Sequence, residues 1–285
     1  MNIVNINELD KNKLTIACTT NQKYMHYVKP FLNSIEKHTT NLNVVLRLVN
    51  CTEFDNEYTN FDLYKMYETK TFINKTIPAY DADTVFITNT LTNQSADINK
   101  IGYQELLKSI KLGNSKFIKS EGKYCCNIRF NTVKMLIENN FKRILYLDVD
   151  TIVNKNFSSI ITESKDHDLA MYVGPWDGNT DLACGYVFPD GGLMYVNNTE
   201  LSKELYEKLT KKITRPDILA TDSYELEFKK LLSELDIKML VLDKKYKDNG
   251  PEYNVDSYMW SGVGDHKKTD MFKQKLKEYS ENNNK

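Results

Sequence analysis

Leu14 to Thr20 (LTIACTT) is an apolar run closed by turn-forming residues, and Val28, Phe31, Leu32 and Ile35 follow it at helical spacing. The pattern predicts a strand and then a helix. Asn43 to Val49 (NVVLRLV) adds a β-branched strand, so the chain opens with a βαβ unit, which implies parallel strands and a right-handed crossover. Thr52 to Ala79 is rich in Tyr, Phe, Asn and Thr without a clean period and is assigned to short helix and loop. Asp83 to Thr88 reads as a strand, and Ile101 to Leu112 and Lys123 to Asn140 as helices, the second with Cys126, Phe130, Val133 and Ile137 on one face. Arg143 to Leu147 (RILYL) has the unbroken apolar character of a strand covered on both faces.

Asp168 to Val173, Gly185 to Asn197 and Ile237 to Leu242 are further strands, the last of them closing the sheet. Helical stripes run through Leu201, Leu205 and Leu209 and through Tyr224, Phe228, Leu231, Leu232 and Leu235. Lys244 to Lys268, with Pro251 and glycines at 250, 262 and 264, reads as a loop, and a short amphipathic helix around Phe272, Leu276 and Tyr279 precedes a polar tail. Strands alternating with helices define an α/β protein, read as one domain over 1–285, with a mostly parallel central sheet flanked by helices. Such a sheet binds ligands at the C-terminal ends of its strands.

Composition narrows the function. The 285 residues are 41% hydrophobic, enough for a substantial core. Lys and Arg total 38 against 39 Asp and Glu, a net charge of -1, so no overall field attracts a nucleic-acid backbone, and no nucleic-acid partner is expected. Apolar runs stay far below the roughly 20 residues of a membrane span, so no transmembrane segment is expected. Five cysteines, two of them adjacent at 125 and 126, do not make a disulfide framework. Reduced, mostly buried thiols and a cytoplasmic location are the expectation.

The chemistry concentrates at Arg143 to Val153 (RILYLDVDTIV). Asp148 and Asp150, one residue apart just past a buried strand, reach one point in space if the chain turns there. Hard divalent cations favour such oxygen ligands, and a metal held there can bridge a diphosphate. The plain alternative is a solvated turn.

This segment resembles the metal-binding DxD stretch of GT-A-fold glycosyltransferases, in particular family 8, which includes glycogenin and bacterial lipopolysaccharide galactosyltransferases. Ala17 to Tyr24 (ACTTNQKY) is similar to the first strand and turn of the glycogenin type, which hold the base and ribose. Gly191 to Asn197 (GGLMYVN) resembles the later small-residue strand near the acceptor, and Thr221-Asp222-Ser223 stands where the family has an Asp-Gln pair. Gly264-Asp265-His266-Lys267 resembles the C-terminal Gly-x-x-Lys that grips the diphosphate.

The resemblance implies a Rossmann-like nucleotide-sugar-binding fold, with a nucleotide half at 14–150, an acceptor-side half at 151–268 and a C-terminal helix and tail at 269–285. It implies a Mn or Mg-dependent transfer from a UDP-sugar to a glycan, lipid-linked or protein acceptor, with retention of configuration. Donor-binding residues are then Thr19, Thr20, Asn21, Tyr24, Arg129, Asp148, Asp150 and Lys267, with Gly191 and Gly192 on the acceptor side. Asp222 is the candidate near the reacting carbon. The family motif His-x-x-Gly-x-x-Lys-Pro-Trp places Ser261 where the family has its metal-binding His, so His266 becomes the candidate third ligand beside Asp148 and Asp150.

Each residue has a plainer role open to it: helix capping for Thr20, Asn21 and Asp222, surface cover for Arg129, a β-bulge for Gly191 and Gly192. LDVDT also fits the first motif of haloacid-dehalogenase-type phosphatases, with Asp148 as nucleophile and Gly264, Asp265 and Asp270 as the acidic magnesium motif. Trp176 and Trp260 could stack on a sugar or fill the core. Lys244 to Lys268 is expected to act as a lid that orders over the donor.

Overall fold

The computed structural model describes residues 2–3, 5–54, 58–69, 121–175, 187–213, 223–261 and 269–281. The strand expected at Asp83 to Thr88 and the helix expected at Ile101 to Leu112 lie outside these residues.

The opening βαβ unit is present. β2 (Leu14–Asn21) leads through α1 (Met25–His38) to β3 (Leu42–Val49), which pairs with it in parallel. An eight-stranded sheet forms around this pair. Its other strands are β1 (Asn2–Ile3), β4 (Phe61–Glu68), β5 (Arg143–Leu147), β7 (Leu169–Pro175), β8 (Val187–Asn197) and β9 (Met239–Leu242), in the order β1-β4-β3-β2-β5-β8-β7-β9. All its pairings are parallel except those that β8 makes with β5 and β7. This is the mostly parallel α/β sheet that the pattern of strands and helices predicts.

Alternate residues of the central strands feed two cores on opposite faces of the sheet. On one face Ile16, Val44 and Leu145 meet Val28, Phe31 and Ile35 of α1, with Phe272 and Tyr279 of α6 (Asp270–Glu281). On the other, Ala17, Ile144, Tyr146 and Met194 meet three helices: α2 (Glu121–Glu138), α4 (Glu200–Ile213) and α5 (Ser223–Glu234). Burial on both faces explains why β2 and β5 read as continuous apolar runs.

Three expectations change. β4 lies in the stretch assigned to loop; next to the two-residue edge strand β1, it alternates buried Phe61 and Leu63 with half-covered Asp62 and Tyr64, too weak an apolar signal to read as a central strand. Cys126 is exposed and Cys125 partly so, while Cys18 is buried; the four described cysteines are free thiols. β9 is not the last strand: residues 244–261, expected to be a loop and part of a lid, turn back through Tyr246 and Lys247, both buried, into β10 (Met259–Ser261). β10 pairs antiparallel with β6 (Thr151–Val153), which leads into the short α3 (Ser158–Glu163), and Asp248 donates its N–H to Met259 O at 2.9 Å. The rest of the proposed lid, 262–268, lies outside the described residues.

Trp260 anchors this segment. It is fully buried and edge-on to Phe272 at 5.1 Å and Tyr253 at 5.2 Å, and its Nε1–H donates to Gly250 O at 2.8 Å. It is a core residue rather than a sugar platform. Trp260→Ala is expected to cost about 3–5 kcal/mol, read as a lower urea midpoint with an unchanged slope. A loss below about 1 kcal/mol would show that the 244–261 segment stands apart from the core.

Candidate active site

β5 ends in the middle of the sheet, between β2 and β8, and the chain leaves it as Asp148-Val149-Asp150 before entering β6. Val149 is buried in the α1-side core, which pins the turn and leaves the carboxylates on either side of it to project at the strand end. The Asp148 N–H donates to Gly192 O at 3.2 Å, and its side chain keeps 34% of its surface. Burial pushes the Asp148 carboxyl above its usual range; Arg129 pulls it back in part, and the nearby charge of Asp150 pushes it further up. Asp150, two residues on, is near enough for its charge to be felt at Asp148.

Arg129 projects from α2 to this point. Its Nη1 lies 3.3 Å from Asp148 Oδ1, its Nε donates to Cys126 O at 2.7 Å, and its guanidinium sits 5.7 Å above the Tyr146 ring. With 7% of its surface exposed, it is not the surface arginine of the plainer reading. A guanidinium held by a carbonyl, an aromatic face and a carboxylate is fixed in orientation at the strand end.

On the other side of Asp148 stands β8, whose pairing with β7 slips between Met171 and Val173, so that Asp190 to Leu193 face Tyr172 alone. The Gly191-Gly192 bulge and the small-residue site are thus the same feature. A Cβ on Gly192 would lie 2.6 Å from Asp148 Oδ2, 2.9 Å from Lys247 Nζ and 3.1 Å from Asp190 Oδ1. The glycine leaves a cradle around which three charged groups gather. Asp190 Oδ1 accepts the Gly192 N–H at 2.7 Å, and Asp190 Oδ2 is ion-paired with Lys247. Burial alone would raise the Asp190 carboxyl, but the Lys247 ammonium and the Gly192 N–H hold it below its usual range.

The sequence reading missed Asp190 and Lys247. A carboxylate directly before two glycines was the available signal for the first. Lys247 is hidden in the run Lys244-Lys245-Tyr246-Lys247, where nothing marks one lysine as buried.

The residues expected at the base site occupy the C-terminal end of β2. Thr19 is turned to α2, its hydroxyl 3.2 Å from that of Thr132, which donates to Ile128 O and also lies 3.4 Å from Arg47 Nη1. Either hydroxyl can be the donor in this pair. Thr20 and Asn21 are buried, and neither caps α1; Asn21 precedes a short 3-10 turn without a side-chain bond to it, and its Oδ1 is buried with no partner among the described residues. An orphaned buried amide oxygen at a strand end is what a ligand N–H would satisfy. Tyr24 is partly exposed, with its ring 5.9 Å from that of Tyr27. In the same strand, burial and then the charges of Asp148 and Asp150 push the Cys18 thiol up.

Asp222, His266 and Lys267 lie outside the described residues, as does Trp176. Ser261, in the family's His position, is buried and donates its N–H to Asp248 O at 2.9 Å. Among the described residues no three His, Cys, Asp or Glu side chains are grouped to hold a metal. The Asp148 and Asp150 pair nonetheless fits a hard cation: its donors are carboxylate oxygens, their charges oppose each other, and Gly192 leaves room beside Asp148 Oδ2.

The sheet, with paired carboxylates and an arginine at its ligand-binding edge, is the architecture of a GT-A-type glycosyltransferase. The family model for nucleotide-diphospho-sugar transferases matches residues 79–275, and the chain belongs to that family. Two solved structures share the fold. The glycosyltransferase GlyE of Streptococcus pneumoniae TIGR4 is 12% identical with a TM-score of 0.53, over 94% of this chain and 60% of its own. The bifunctional glycosyltransferase WbbM, in its apo form, is 10% identical with a TM-score of 0.55, over 97% of this chain and 51% of its own. This chain thus spans about half to three-fifths of those longer proteins. No curated protein sequence matches it.

Proposed function

We propose that the chain is a metal-dependent glycosyltransferase of the family 8 type, moving a sugar from a UDP-sugar to a hydroxyl of a glycan, lipid-linked or protein acceptor with retention of configuration. The observation that carries this reading is Asp148 at the C-terminal end of the central strand, with Arg129 at 3.3 Å, the bare backbone of Gly192 beside it and Asp150 two residues on. Asp148 and Asp150 would hold Mn or Mg, which when bound supplies positive charge against the leaving nucleoside diphosphate. Arg129, already fixed by Cys126 O and Tyr146, adds positive charge near the same oxygens without having to be ordered first. The buried Asn21 Oδ1 offers an acceptor to the base. Lys267 on the diphosphate, His266 on the metal and Asp222 near the reacting carbon complete the proposal by resemblance.

The phosphatase alternative asks Asp148 to be a nucleophile and Asp270 to serve magnesium. Arg129 lies within 3.5 Å of both Asp148 oxygens, and Asp270 opens α6 fully exposed, with Lys273 at 3.7 Å. The transferase family match gives that reading no support.

Calorimetric titration of UDP with and without Mn tests the proposal. Tight binding is expected only with the metal; equal binding without it, or none, sinks the role given to the Asp pair. The anomer of the transferred sugar, read by NMR, decides the family 8 part, which inversion would remove.

A further inference from the structure

We infer that Asp190 and Lys247 together recognise the transferred sugar, accepting an uncharged sugar through its hydroxyls and rejecting an anionic one; this rests on the nucleotide-sugar reading above. Lys247 is 3% exposed, and a lysine so deeply buried needs a partner, which Asp190 provides. The ammonium fixes one carboxylate oxygen and the Gly192 N–H fixes the other, at 2.7 Å. Asp190 nonetheless keeps 28% of its surface. It is therefore a carboxylate locked in orientation and partly open, beside the one that faces Arg129.

Its place follows from Gly192. Asp148 Oδ2, Lys247 Nζ and Asp190 Oδ1 surround the point where a Cβ would stand, so a donor whose diphosphate is bound through Asp148 brings its sugar within reach of Asp190. An ionised carboxylate can only accept hydrogen bonds, which selects a ligand presenting O–H groups. Both oxygens already take a strong donor, which blunts their nucleophilicity and suits Asp190 to positioning rather than to covalent chemistry. A second anion placed there would meet a carboxylate whose counter-ion is already engaged, with Asp148 next to it, and like-charge juxtaposition of this kind is how a site refuses a ligand. Lys247 acts through Asp190 and is a positioning residue.

The test compares the Mn-supported binding of UDP, of neutral UDP-sugars (UDP-glucose, UDP-galactose and UDP-N-acetylglucosamine) and of UDP-glucuronic acid. In the unsubstituted protein the best neutral sugar is expected to bind about tenfold or more tighter than UDP-glucuronic acid. Asp190→Asn keeps the size and an acceptor for Gly192 N–H but removes the charge, and should narrow the gap to about threefold or less. Lys247→Met should raise KM for the neutral donor about tenfold with a smaller change in kcat, and Lys247→Arg should recover most of it. If Lys247→Met does not fold, the Asp190→Asn comparison still decides. Equal affinity for neutral and anionic sugars in the unsubstituted protein, or a preference that survives Asp190→Asn, overturns the inference while leaving the nucleotide-sugar reading in place. Failure of UDP itself to bind overturns both.

Discussion

Asp148→Asn and Asp150→Asn are each expected to lower glycosyl transfer by about 10²–10³-fold, and together to abolish it, with the fold intact. The amide preserves shape but not the charge that a hard cation requires. Stability should change little. Burial already raises the Asp148 carboxyl, so its ionised form is costly to the folded state, and Arg129 keeps Cys126 O and the Tyr146 face when the ion pair is lost. The measurement is kcat/KM beside the thermal midpoint. Transfer within about threefold of the unsubstituted protein would remove the pair from the chemistry, and collapse of the midpoint would make it structural.

Gly192→Ala should separate stability from activity in the opposite sense from a core substitution. The added methyl would come within 3.1 Å of Asp148 Oδ2, Lys247 Nζ and Asp190 Oδ1. All three are ends of side chains, which can swing aside, so β8 should keep its pairing with β5 and the midpoint should move by only a few degrees. Those same ends form the site. Displacing them by about an ångström is expected to cost about 10²-fold in kcat/KM. Full activity in Gly192→Ala would show that the donor does not use this cradle; unfolding would show that the glycine serves the strand.

The parts of this molecule that were legible in the sequence are those whose signal is local. β2, β3 and β5 declare themselves because both of their faces are covered, and Asp148 and Asp150 because a single strand places them. β4 was hidden by its place next to the short edge strand β1, where Lys65 and Tyr67 replace the aliphatic residues of a central strand. β10 is three residues long and is recognised only through its pairing with β6. The Asp190 and Lys247 pair was invisible for a different reason: 57 residues separate its members, and only the bulge in β8 and the return of the chain after β9 bring them together. Arg129 was a candidate from its place on the helix before β5, but its burial and its contact with Asp148 depend on how α2 crosses the sheet.

The reversed direction of β8 decides what stands beside Asp148. β7 runs with β5, so it finishes at the same rim as Asp148; β8 runs against both, so it starts there. One strand thus enters where its neighbour leaves, and Asp190 and Gly192, near the start of β8, come level with Asp148, just past the end of β5. Had β8 run the other way, its start would lie at the opposite rim, and the glycine whose bare backbone borders Asp148 would be a strand's length away.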